Sequence, residues 1–271
     1  MKKNMMAGMM VMVLIGLTVF AGLTGCSANQ TAAKTEESNG AEPQKELTVA
    51  AASDLTKAFT EIGAEFEKAN DCKVTFSFGS TGTLSEQIVN GAPFDVFASA
   101  SQSVMDDLDS KGFIVSDTKQ LYALGRIGIV TMKNSAIEVK TMEDLLNPEI
   151  KKIAIANPDH APYGLAAKQA LINAGLWETL EPKLVYGNNI SDTLNLVTTG
   201  NADAGFGALS LKDETTQNFT LIDATLHNPL KQSMAVIKGA KEEALGKKFV
   251  EYVNSVEGRE IMKRYGFIAT E

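Results

Sequence analysis

From Leu47 onward the chain alternates between two hydrophobic periods. Leu47-Thr48-Val49-Ala50-Ala51 reads as a short buried strand, and Leu55, Ala58, Phe59, Ile62 and Phe66 then fall on one helical face. Ser53 stands where it would cap that helix. Val74, Phe76 and Phe78 alternate at strand spacing, and Leu84 and Ile88 begin another helical stripe after Thr81-Gly82. Asp95 to Ser99 predicts a third strand, leading into a helix near Ser103 to Ser110. Leu121 to Thr131 reads as one longer β pattern, with Arg126 and Gly128 inside it.

The second half repeats this style. Ile153 to Ala156 predicts a strand, Asn157 to Pro162 a loop, and Tyr163-Gly164 the opening of a helix. Leu184 to Tyr186 predicts a strand, Asn188 to Ser191 a corner, and Leu194 and Val197 a helix face. Ala204 to Ala208 reads as a buried strand whose glycines allow close approach. Ser233 to Lys238 reads as a late strand, followed by helices over Glu242 to Asn254 and Ser255 to Tyr265.

Strands alternating with helices predict an α/β body with mostly parallel sheets. Ligands in such sheets lie beyond the carboxyl ends of the strands. Corners at Ser53, Thr81, Tyr163 and Ile190 all fall there, two in each half, so a cleft between two lobes would gather them.

The N-terminus changes the picture of where this body works. Met1-Lys2-Lys3 precedes an almost wholly apolar stretch from Met5 to Leu23, which suits a membrane span or the core of a signal peptide. Leu23-Thr24-Gly25-Cys26 looks like a lipobox, the site cut before a lipid-modified cysteine. Residues 1–25 therefore read as a lipoprotein signal peptide, Cys26 as the lipidation site and residues 26–45 as a flexible tether. The 271-residue chain has a formal net charge of -8, and removing Lys2 and Lys3 makes the rest more acidic. That balance argues against a nucleic-acid partner. Cys72 is the only cysteine besides Cys26, so it makes no internal disulfide in the mature body.

The candidate chemistry lies in two hydroxyl-rich corners, Ala51-Ala52-Ser53-Asp54-Leu55 and Gly79-Ser80-Thr81-Gly82-Thr83-Leu84. A strand giving way to a helix exposes unpaired N–H groups beside hydroxyl donors, which favours an anion. Neither corner contains Lys or Arg, so an oxyanion would be held by hydrogen bonds alone. Asp54, Asp159 and Asp192 read as outward or helix-start charges, because a carboxylate on the anion would repel it. His160 and His227 read as surface loop residues without partners at metal spacing. No nucleophile elbow, phosphate loop or zinc spacing appears, so catalysis finds little support.

Taken together, the corners resemble the molybdate-binding proteins of ABC importers, within the type II bilobed solute-binding superfamily. The pieces are Ala51 to Leu55, Phe78 to Leu84, Gly91 to Ala100, Asn157 to Gly164, and Lys263-Arg264-Tyr265-Gly266-Phe267. The resemblance implies that Ser53 and Thr81 supply hydroxyl and amide donors while Tyr163 and Ile190 supply backbone N–H groups. Some members add a Tyr hydroxyl from the position that here looks like Ala208. Asp54 N–H, the Tyr163 hydroxyl, Ser80 or Gly82 would then complete the shell. The resemblance further implies lobes of residues 46–124 with 230–271 and of residues 125–229, with hinges near Leu124 to Arg126 and Thr225 to Lys231. It implies molybdate or tungstate as ligand without a cofactor, no protein ligand on the metal itself, and an ABC permease with its ATPase as partners. The expected protein is a non-enzymatic monomer, lipid-anchored outside the cell membrane. A receptor for sulfate or thiosulfate is the alternative, with a Ser-dependent hydrolase or an adhesion lipoprotein behind it.

Overall fold

Strand β1 (Lys45–Ala52) shows why its sequence is a nearly unbroken apolar run: it lies between two parallel neighbours and is covered on both faces. The computed structural model describes residues 44–270. The expectations for the signal peptide, for Cys26 and for most of the tether lie outside those residues.

The first sheet combines β1 with β2 (Cys72–Gly79), β3 (Val96–Ser99), β4 (Gln120–Gly125), β10 (Leu230–Val236) and β11 (Ile268–Ala269). Its strand order is β11-β4-β10-β3-β1-β2. The second contains β5 (Ile127–Met132), β6 (Ile153–Ala156), β7 (Leu184–Gly187), β8 (Ala204–Ala208) and β9 (Gln217–Leu221), in the order β7-β6-β8-β5-β9. The helices are α1 (Thr56–Asn70), α2 (Thr81–Val89), α3 (Gln102–Ser110), α4 (Pro162–Asn173), α5 (Trp177–Leu180), α6 (Ile190–Thr198), α7 (Glu243–Val253) and α8 (Val256–Arg264). This is the expected two-lobed α/β fold.

The sheets are mixed rather than mostly parallel. Parallel pairing joins β1 to β2 and β3, and β6 to β7 and β8; β5, β10 and β11 pair antiparallel. At each crossing the strand that enters the new sheet, β5 or β10, runs against the βαβ units of that sheet. The long β pattern from Leu121 to Thr131 is two strands, broken at Arg126, one in each sheet. Periodicity sees only the alternation and not the change of sheet. Strand β9 was not expected, because Gln217-Asn218-Phe219-Thr220-Leu221 is an edge strand with little apolar signal.

Around β1 the core is aromatic. Phe249 of α7 meets Phe59 edge-on at 5.8 Å and Phe66 at 5.2 Å, both from α1. Gly63 lets α1 approach the sheet, since a Cβ there would lie 2.6 Å from the Phe76 ring. Cys72 is buried at the start of β2, as a small apolar residue would be.

Candidate functional site

Each of the four corners comes from a strand end running into a helical turn. At the end of β1, Ser53 does not cap α1. It opens a 3-10 turn, Ser53–Leu55, and α1 starts at Thr56 with no side-chain cap. The Thr56 hydroxyl donates to the Ser53 carbonyl at 2.7 Å, and the Ser53 hydroxyl itself has no intramolecular partner among the described residues. After β2, Ser80 is the cap: its Oγ accepts the Thr83 N–H at 3.3 Å. After β7, Asn189 Oδ1 accepts the Asp192 N–H at 3.0 Å. These caps use the third amide of each helix and leave the first amides, on Thr81 and Ile190, without an intrahelical acceptor. In α4, Pro162 takes the first position and carries no N–H, so Tyr163 N–H is the first donor.

Ser53, Thr81, Tyr163 and Ile190 line one small cavity of about 10 Å³, together with Ala52, Asp54, Gly79, Ser80, Ala100, Ala161 and Pro162. Residues 28 to 137 positions away from Ser53 thus meet in one small space. Larger hollows exist on the surface, including one of about 360 Å³ beside Lys231, but none gathers these helix starts. The Thr81 hydroxyl accepts the Ala100 N–H at 3.0 Å, which leaves its own proton for the cavity. No Lys or Arg lines the cavity.

Four of the expected extra contributors to the shell are not available. The Gly82 N–H is spent on the His160 carbonyl at 2.9 Å. The Ser80 hydroxyl donates to Thr83 Oγ1 at 2.8 Å and lies 2.9 Å from His160 Nδ1. Ala208 does not line the cavity; it is buried at the end of β8, opposite Ile127. The Tyr163 hydroxyl is likewise committed, donating to Asp54 Oδ2 at 3.1 Å. Asp54 N–H remains, because Asp54 lines the cavity and this amide bonds to no other residue among those described, only to its own carboxyl.

Two residues behave differently from their sequence reading. His160 is not a plain surface loop residue but a bridge between the two halves, through its carbonyl and its ring. Asp54 begins a turn as expected, yet it points inward and is only 1% exposed. Its Oδ2 also accepts Gln232 Nε2 at 2.5 Å, while Oδ1 is buried with no partner. Burial raises its pKa from 3.8 to about 6, against the lowering effect of the bonds from Gln232 and Tyr163.

Gln232 was missed because it lies just ahead of the expected strand Ser233 to Lys238, whereas β10 begins at Leu230 and takes it in. A β-bulge at Gln232/Ser233 re-aims it inward, where Tyr122 donates to its Oε1 at 3.1 Å. Gly125, beside the crossing at Arg126, makes room for this cluster. A Cβ there would stand 2.2 Å from the Tyr163 hydroxyl and 2.9 Å from Gln232 Nε2.

The halves are also latched by hydroxyls. Ser191 donates to the Ser53 carbonyl at 3.1 Å, and Ser210 donates to the Asp54 carbonyl at 2.7 Å. The cleft is therefore shut around the cavity. Closure of this kind excludes water and strengthens each hydrogen bond to a charged guest.

A two-lobed fold with helix starts converging on a closed, cation-free cavity defines a solute-binding protein. The model of the bacterial extracellular solute-binding protein family matches residues 47–268, and the chain belongs to that family. It is 34% identical over 224 residues to the molybdate-binding protein ModA of Rhodobacter capsulatus, covering 82% of this chain and 88% of that protein. It is 30% identical over 260 residues to YvgL of Bacillus subtilis (strain 168), described as a putative ABC transporter substrate-binding lipoprotein, covering 94% and 96% of the two chains. The solved periplasmic molybdate-binding protein of Azotobacter vinelandii superposes with a TM-score of 0.78 at 28% identity, covering 83% of this chain and all of that one.

Proposed function

We propose that this protein is the extracytoplasmic receptor of an ABC importer and captures molybdate, with tungstate as an equivalent ligand. The convergence of Ser53, Asp54, Thr81, Tyr163 and Ile190 on one cavity without a cation carries the reading. The amides of all five and the hydroxyls of Ser53 and Thr81 would contact the oxo groups; no side chain would ligate the metal atom. The names of the relatives from Rhodobacter capsulatus and Azotobacter vinelandii support the choice of anion.

Hydrogen bonds to a charged acceptor contribute about 1.5–3 kcal/mol each. Seven such donors would supply on the order of 10–20 kcal/mol gross. Nanomolar affinity needs about 12 kcal/mol net, after lost freedom and closure are offset. The shell therefore has to be nearly complete and dry. A shell made only of donors favours a fully deprotonated dianion over hydrogen phosphate, whose proton would need an acceptor. Cavity size then separates sulfate from the two larger ions.

The same reading assigns residues 46–124 with 230–271 to one lobe and 125–229 to the other, moving about hinges at Leu124 to Arg126 and Thr225 to Lys231. Occupancy would close the lobes, and a permease driven by a cytoplasmic ATPase would read the closed form. Cys26 would carry the lipid that holds a monomeric receptor at the membrane. Calorimetry with molybdate, tungstate, sulfate and phosphate tests the assignment. Tight binding of the first two with weak binding of the others is expected; indifference to molybdate and tungstate overturns it.

A further inference from the structure

Asp54 places a carboxyl against a cavity suited to a dianion, and no cation neutralises it. Its partners come from three parts of the fold. Oδ2 accepts the Tyr163 hydroxyl from α4 and the Gln232 amide from the bulge of β10, and the backbone carbonyl accepts the Ser210 hydroxyl beyond β8. Oδ1 has none, although it is buried. An ionised carboxylate oxygen buried without a donor costs far more than a buried neutral O–H group.

The titratable groups facing Asp54 are the phenols of Tyr163 and Tyr122, and burial holds both in the neutral form. Around the Ser53–Leu55 turn, the packed elements carry Lys57 in α1 and Asp192 in α6, with Lys212 just past the 3-10 turn Leu209–Leu211. Lys57 Nζ is turned to the Lys212 carbonyl at 2.8 Å. Lys212 pairs with Glu214, and Arg126 at the strand crossing keeps a buried Nε without a partner. None of these cations forms an ion pair with Asp54.

We propose that Asp54 takes up a proton from solvent, on Oδ1, when the cleft closes over its anion, so that capture of the dianion is coupled to proton uptake. The inference rests on the anion-receptor reading above and makes Asp54 a positioning residue acting through Tyr163 and Gln232. Opening the cleft rehydrates Asp54 and returns it toward an ordinary carboxylate. Closing moves it the other way, and an adjacent dianion adds to the effect of burial. The closed form thus binds more protons than the open form, and affinity rises as pH falls.

The experiment is titration calorimetry of the protein with molybdate across a pH series, in buffers of different ionisation enthalpy. Between pH ~8.5 and ~5.5 the affinity of the wild type is expected to rise at least about fourfold, with net proton uptake. Asp54→Asn has no carboxyl to titrate, so its proton uptake and pH slope are expected to vanish whatever its absolute affinity. A wild type that binds molybdate with no pH slope and no proton uptake overturns this proposal alone. So does an Asp54→Asn variant that keeps the wild-type slope. Failure to bind molybdate at every pH removes both this proposal and the reading beneath it.

Discussion

The N–H of Gly82 donates to the carbonyl of His160 at 2.9 Å, joining the start of α2 to the loop that leads into α4. Only glycine fits this contact, because a Cβ at position 82 would sit 2.8 Å from both the carbonyl oxygen and the Cβ of His160. Gly82→Ala is therefore expected to hold the cleft ajar without disturbing the core of either half. Molybdate affinity should fall by about tenfold or more, about 1.4 kcal/mol. The unliganded thermal midpoint should move by no more than about 2–4 °C. Calorimetry and thermal unfolding check the two halves of the statement.

Ser53 and Thr81 each present a hydroxyl to the cavity, the second oriented by the Ala100 N–H. Ser53→Ala and Thr81→Ala should each weaken molybdate by about 1.5–3 kcal/mol, the value of one charge-assisted bond. The double variant should depart from additivity, since both donors face the same ion. Unchanged affinity in both single variants would show that the anion sits elsewhere.

Asp54 makes stability depend on pH in the sense opposite to a salt-bridged acid. Its pKa is about 6 in the closed form and 3.8 for an ordinary Asp, so the closed folded state binds the extra proton between those values. Stability is thus lost as pH rises from about 4 to about 6, by about 3 kcal/mol in all, and the loss persists above that range. Denaturant titrations of wild type and Asp54→Asn in saturating molybdate, which holds the cleft closed, should diverge by about that amount between pH ~4 and ~8, in favour of the variant at the higher pH. Parallel curves would contradict a buried, ionisable Asp54.

Phe249 joins Phe59, Phe66 and Phe76 in one aromatic cluster, away from the cavity lining. Phe249→Ala should cost about 3–5 kcal/mol of stability through lost burial and the void left behind. At a temperature where the variant remains folded, its molybdate affinity should match the wild type. A matching loss of affinity would tie this core to closure.

Much of the fold was legible in the sequence because its signals are local. Ile153–Ala156 and Ala204–Ala208 are strands with the expected bounds, since a short apolar run bordered by turns fits few alternatives. The stripe from Leu55 to Phe66 packs as expected because a 3.6-residue period already names the buried face. The four corners could be placed for the same reason: a strand followed by a hydroxyl, asparagine or proline before a helical stripe marks where amides go unpaired.

What tertiary structure decided is which groups remain free once distant segments meet. At Gly82 an amide open in its own helix is consumed by His160, 78 positions later. At Asp54 a helix-start acid becomes a buried one because Tyr163, Gln232 and Ser210 close over it. At Arg126 one alternating run divides between two sheets, since alternation reports the faces of a strand and not its neighbours. Hydrogen-bond capacity and solvation belong to the assembled surroundings. A residue's type and spacing state what it can donate, and only the fold states to whom.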